Sequence, residues 1–366
     1  MLNRRTLFQS AAATAAGALV ATPVLAQSKA DPQGTTPPPR NWRDPASAAY
    51  PDAAFEVFDP RMVKLSAGPA GLRRVAWDMK FTEGPVYFAD MHRLIWSDIP
   101  ANKMYEYNEL TGETHVFRDP SNHANGNSRD WQGRLLTCEQ ASRRVTRTEY
   151  DGRITVIADS FQGKRLNSPN GIIAKKDGTL WFTDPTYGIL LEHQGSYRAE
   201  PELPSNVYMF DPKSGKLSVA VGDFNQPNGL CFSPDEKQLY ITDTGIGPFA
   251  AAGPQHSWIR IFDVGDDNKL TNGKVFHDFK DMPGGIADDI RVDIAGNLWS
   301  AGGWADKDKN FNGVSVYAPD GTPIGRIVLP EVAANLCFGG PDHNTLYIAA
   351  STSIYAIGVN TRGVEL

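Results

Sequence analysis

Hydrophobic residues along this chain come in short bursts of four to six, each closed by Gly, Pro or Asp. Six bursts share one design, at 94–97, 134–137, 180–183, 239–242, 298–301 and 346–349. Ahead of them runs another short apolar stretch, then a turn such as Asp177-Gly178, Pro234-Asp235 or Ala295-Gly296. After them comes an alternating stretch, as at 206–210, 258–262 and 313–317, and a turn like that at 211–215 or Asp320-Gly321. Bursts of this length, enriched in aromatic and β-branched residues and bounded by turn formers, predict strands joined as hairpins. Nowhere does a helical apolar period persist for three turns, so the pattern predicts no long helix.

A single polar residue opens the first strand of each unit. These slots are Glu83, Asn125, Asn170, Asn228, Asp288 and Asn335, separated by 42, 45, 58, 60 and 47 residues. A supersecondary unit recurring at roughly 40–50 residues marks a propeller or solenoid. Four antiparallel strands per unit and six units predict an all-β fold, a six-bladed β-propeller with a central divalent-metal site where the slots converge. Residues 53–63, whose F-E-V-F-D-P resembles V-Y-M-F-D-P at 207–212, are expected to complete the last blade and remove its free edge. If the slots open the innermost strands at one mouth of the channel, the loops after the second strands border that same mouth. The longest are 184–205 and 244–257, and long loops in a compact domain are commonly functional.

The first 50 residues do not share this pattern. Asn3-Arg4-Arg5-Thr6-Leu7-Phe8, an Ala-rich apolar stretch and Val24-Leu25-Ala26 read as a twin-arginine signal cleaved after residue 26. Residues 27–50, rich in Pro, Ala, Ser and Gln, read as a flexible leader, and 51–366 as one propeller domain. The expected location is the periplasm, and the export machinery is a partner. No stable membrane insertion is expected after cleavage, because the apolar stretch is short and interrupted by Pro23. The net charge of −6, with no basic stripe, argues against nucleic acid. Cys138, Cys231 and Cys337 are odd in number and show no C-x-x-C spacing, so they are expected to be buried and inert.

Carboxylates and amide carbonyls are hard oxygen ligands that suit Ca²⁺ or Mg²⁺. No His, Cys or Met occupies a slot, which disfavours copper and thiolate-bound zinc. Any single Asn before Gly is better read as turn chemistry. The metal argument rests on the set, in which Glu83 and Asp288 interrupt an amide pattern and Asn125 and Asn335 are the weakest members. G-x-S-x-G and H-E-x-x-H are absent, and Gly245-x-Gly247 is not followed by a helical pattern.

The motifs E-G-P-V (83–86), N-G-N-S-R-D-W-Q-G-R-L-L-T-C-E (125–139), R-L-N-S-P-N-G (165–171), L-W-F-T-D-P-T-Y-G (180–188), Q-P-N-G-L (226–230) and I-R-V-D-I-A-G-N-L-W (290–299) carry a resemblance. Through them the chain resembles the SMP-30/gluconolactonase/luciferin-regenerating family of metal-holding propellers. The resemblance implies Glu83, Asn170, Asn228 and Asp288 as metal ligands, with Asn170 also contacting substrate and Asp288 moving the proton. Where the family writes P-D-G, this chain reads Ala287-Asp288-Asp289, leaving Asp288 and Asp289 as alternatives. The eight-residue step to Gly296, equal to that from Asn170 to Gly178, favours Asp288. Arg165, Asn167 and Tyr187 are the expected contacts to a sugar lactone. Asp184 and Asp243 are expected in supporting or turn roles. Ca²⁺ is the first expectation for the metal, with Mg²⁺, Mn²⁺ and Zn²⁺ as alternatives. Two other readings stay open: an ester or phosphotriester hydrolase at the same metal, and a non-catalytic binding propeller with structural calcium.

Overall fold

The computed structural model describes residues 50–195, 198–247, 250–279, 285–303 and 312–364. The expected signal and leader lie outside the described residues, Tyr50 excepted. No described helix is long and apolar enough to cross a membrane.

The strands form six four-stranded blades, one of them extended by a fifth strand, with antiparallel pairing throughout. The first blade runs through Thr82–Phe88, Arg93–Asp98, Lys103–Asn108 and Thr114–Arg118. The second holds Ala124–Arg129, Leu135–Glu139, Arg144–Thr148 and Ile154–Ala158. The third holds Ile172–Ala174, Leu180–Asp184, Asn206–Asp211 and Lys216–Val221. The fourth holds Pro227–Phe232, Gln238–Asp243, Trp258–Val264 and Leu270–Asp278. The fifth is built on Ile286–Val292, Leu298–Gly303, Gly313–Tyr317 and Pro323–Val328. The sixth takes Ala333–Gly339, Thr345–Ala350 and Ile354–Gly358 from the end of the chain. The protein is an all-β six-bladed propeller.

Burial explains the order within a blade. Inner strands such as Thr82–Phe88 and Pro227–Phe232 are buried at every position, whereas the outer strand Thr114–Arg118 is almost wholly exposed. Apolar side chains of neighbouring blades meet face to face, the usual way stacked sheets make a core. Trp181 of the third blade packs edge-on against Phe232 of the fourth, and Trp299 of the fifth against Phe338 of the sixth. Tyr87 of the first stacks on Tyr347 of the sixth, sealing the ring where it closes. The three cysteines are buried, as expected.

Closure differs from the expectation. Phe55–Val57 pairs with Pro323–Val328 as a fifth strand on the fifth blade, and the helical turn Pro60–Val63 drives Met62 into the core beside it. The outer strand of the sixth blade is Arg73–Ala76, paired with Ile354–Gly358. A strand reading R-R-V-A carries no alternation or turn signature. Only the unpaired edge of the last blade selects it.

Candidate active site at one channel mouth

Four inner strands carry a register shift at the slot and one just before it. On the fourth blade, Asn228 and Gly229 together lie opposite Thr242, and similar irregularities occur at Glu83, Asn125 and Asp288. A bulge re-aims a side chain that would otherwise follow the pleat, and here it sends the slots to the channel mouth. Blades approach so closely there that a Cβ on Gly84 would lie 2.2 Å from the Asn125 carbonyl oxygen, and one on Gly126 2.2 Å from that of Asn170. Hydroxyls stitch the belt together. Ser97 donates to the Asn125 carbonyl, Thr183 to that of Asn228 and Thr242 to that of Asp288, each at 2.8 Å.

A second set of acids sits at the ends of the second strands. Asp98 accepts from the backbone amides of Lys80 and Phe81, Asp184 from that of Asn167, and Asp243 from those of Asn225, Gln226 and Gly245. Each fixes the chain two or three residues before a slot. Asp184 and Asp243 are thus clamps for the slot strands.

Glu83, Asn125, Asn170, Asn228 and Asp288 line one pocket, closed by Phe81, Ile286, Tyr187, Gln194 and Thr244. Five blades therefore contribute a slot. Asn335 is a correction. Leu336 lies opposite Ile348 as Leu230 lies opposite Ile241, so Asn335 occupies the position of Gly229, and Ala334 that of Asn228. The sixth turn, Gly339-Gly340-Pro341-Asp342, is one residue longer than Ser233-Pro234-Asp235, and that extra residue displaced the count. Asp288 lines the pocket and Asp289 does not.

Arg165 and Asn167 do not line the pocket. Arg165 is exposed on a two-stranded hairpin and donates to the Ser142 carbonyl. The Asn167 amide is buried and donates to the carbonyls of Asp184, Leu203 and Pro204, which anchors the loop after the third blade's second strand. Tyr187 does line the pocket, but its hydroxyl is bonded to Thr244 Oγ1, joining the two mouth loops. Thr244, Gln194, Phe81 and Ile286 were missed by sequence reasoning. Phe81 and Ile286 each stand two residues before a slot and Thr244 directly follows the clamp Asp243, so their places in the repeat were the available signal.

The donor set fits a hard cation. Among the described residues no three His, Cys, Asp or Glu side chains come together as a metal-binding group, so a cation would depend on amide oxygens as well as Glu83 and Asp288. Asn125 Oδ1 is buried without a partner. Asn228 directs Nδ2 to Asp288 Oδ1 at 2.6 Å and to Thr244 Oγ1 at 3.3 Å. Burial raises the Glu83 carboxyl to about 8, helped by the charge of Asp289. Burial and then Glu83 push Asp288 well up from its ordinary range. Burial and mutual repulsion favour the protonated forms of these two acids, and a cation facing the same amide oxygens would let both ionise.

The family profile of the SMP-30/Gluconolactonase/LRE-like region matches residues 81–352, from just before the first slot to the end of the sixth blade's second strand. The chain belongs to this family. The gluconolactonase of Zymomonas mobilis is 26% identical over 336 residues, covering 84% of this chain and 86% of that protein. A pentonolactonase of Haloferax volcanii is 27% identical over 286 residues, 76% of this chain and 84% of that one. A solved gluconolactonase structure from Xanthomonas campestris superposes with a TM-score of 0.73 at 31% identity, covering 83% of this chain and 94% of that one.

Proposed function

We propose that this protein hydrolyses a sugar lactone to the aldonic acid at the five-blade pocket, in the periplasm, with the help of a divalent cation. The observation that carries the reading is the convergence of Glu83 and Asp288 with three amide side chains from other blades in one pocket. Lactone-hydrolysing relatives along nearly the whole propeller support it. Glu83, Asn170, Asn228 and Asp288 would hold the cation, Ca²⁺ by the hardness of these donors, which supplies positive charge to polarise the lactone carbonyl.

The chain's own residues account for the rest. Asn228 fixes Asp288 through Oδ1, which leaves the other carboxylate oxygen to act as base. That oxygen accepts a proton from water as the water oxygen bonds to the carbonyl carbon. It returns the proton to the ring oxygen as the ring C–O bond breaks. The product is a carboxylic acid, which then releases one proton to solvent. Phe81, Ile286 and the Tyr187 ring form the apolar part of the wall. The Gln194 amide, half-buried at the rim, would bond a sugar hydroxyl.

The test is hydrolysis of glucono-1,5-lactone and a panel of small lactones, followed by proton release. Protein stripped of metal and then resupplied with Ca²⁺, Mg²⁺, Mn²⁺ or Zn²⁺ is expected to lose turnover and regain it with one ion. Turnover that survives exhaustive chelation would reject the metal-dependent reading. Cation binding with no turnover on any lactone would reject the enzyme.

A further inference from the structure

Four blades follow the slot residue with glycine, at 84, 126, 171 and 229, but the fifth and sixth place Asp289 and Asn335 there. These two side chains meet beneath the slots. Asn335 Nδ2 donates one hydrogen to Glu83 Oε2 at 2.7 Å and the other to Asp289 Oδ2 at 2.6 Å. Its Oδ1 accepts from the Leu336 amide at 2.7 Å. Both acceptors are carboxylates, so only the NH₂ end of the amide can face them. Asp289 Oδ1 accepts from the Ile290 amide and pairs with Arg291 Nη1 at 2.5 Å. All of these residues are buried.

Resting on the function proposed above, we propose that Asn335, Asp289 and Arg291 form a positioning layer that sets the orientation of Glu83 as a cation ligand. Asn335 holds Oε2, which also accepts from the Gly84 amide at 2.7 Å, and so directs the remaining carboxylate oxygen to the pocket. Asp289 holds Asn335 in place. Arg291 pairs with Asp289 and fixes its carboxylate against Asn335. Asp289 is thereby a supporting residue and not a ligand. Partners behind a metal ligand typically change metal affinity by about 10–100-fold when removed.

The experiment is Ca²⁺ titration by calorimetry on the metal-stripped mature protein and its variants, with thermal unfolding of each metal-free form as the folding control. Asn335→Leu keeps the branching of the side chain and removes both donated bonds. It is expected to weaken Ca²⁺ binding by about 10–100-fold. Asn335→Gly restores the residue four other blades carry, and the same loss is expected, which covers the case in which the leucine variant fails to fold. On a Glu83→Gln background, titrated at millimolar Ca²⁺, the Asn335 substitution is expected to add little, because its effect passes through Glu83. Equal losses on both backgrounds would show a merely structural role and overturn the inference. Unchanged affinity in both Asn335 variants, with normal binding by wild type, would overturn it alone. Absence of Ca²⁺ binding by wild type would overturn the metal reading and this inference with it.

Discussion

Two sets of buried acids serve the strands that open the blades, and their hydrogen bonds set them apart. Asp243 accepts from three backbone amides and Asp98 from two. Glu83 and Asp288 instead face a pocket that Asn125 also lines, with its carbonyl oxygen unpartnered. Burial alone therefore does not mark a reactive carboxylate. Asp98 and Asp243 are committed to neutral N–H groups and hold the slot strands; Asp184 does the same through Oδ2 and keeps Oδ1 without a partner. The slot acids keep bonding capacity that the protein does not satisfy, and that residual capacity is what a cation or substrate can use.

The sharpest test of the contrast is Asp288→Asn. Removing the base should lower kcat for lactone hydrolysis by about 10²–10⁴-fold, with the far-ultraviolet circular dichroism unchanged. A variant that turns over like wild type would place proton transfer elsewhere.

The pH response of the metal-free protein separates the two sets next. Glu83 titrates near 8 in the fold against an ordinary 4.5, so the native state binds more protons than the unfolded state between those values. Stability of the metal-free protein should fall as pH rises through that window, and Asp288 adds in the same direction. Saturating Ca²⁺ should flatten the decline, because bound dication favours both ionised carboxylates. Calorimetric Tm values from about pH 5 to about pH 8, with and without Ca²⁺, measure this. Parallel curves would refute the slots as the cation site.

Asp243→Ala should behave in the opposite sense to Asp288→Asn. Leaving buried amides unsatisfied costs about 1–3 kcal/mol, so the expected result is a lower Tm with Ca²⁺ affinity changed much less than by loss of a slot acid. Arg165→Ala should do least, with kcat/KM on the preferred lactone indistinguishable from wild type. A large rise in KM would return that side chain to the substrate.

Much of this was legible in the chain. The turns after each inner strand, such as Asp177-Gly178 and Ala295-Gly296, and the returning strands between 94 and 349 are local signals that gave the blades and the mouth loops. Glu83, Asn170, Asn228 and Asp288 were found because a repeat makes equivalent positions countable, and all four line the pocket. Asn125 was ranked low among the slots, yet it lines the same pocket. Asn335 was counted as a slot because the turn after it is a residue longer, a difference that only strand pairing exposes. Arg165 and Asn167 stand beside the slot in sequence, but hairpin pairing and loop carbonyls turn them away from the pocket.

By itself, then, the sequence determined the number of blades and which residues open five of them, because period and turn chemistry act over a few neighbouring residues. Only the tertiary structure decided that Arg73–Ala76 completes the sixth blade, that Asp288 rather than Asp289 reaches the pocket, and that Asn335 lies behind Glu83. Those choices depend on register between strands and on contacts between blades far apart in the chain. A shift of one residue there changes which side chain faces the channel.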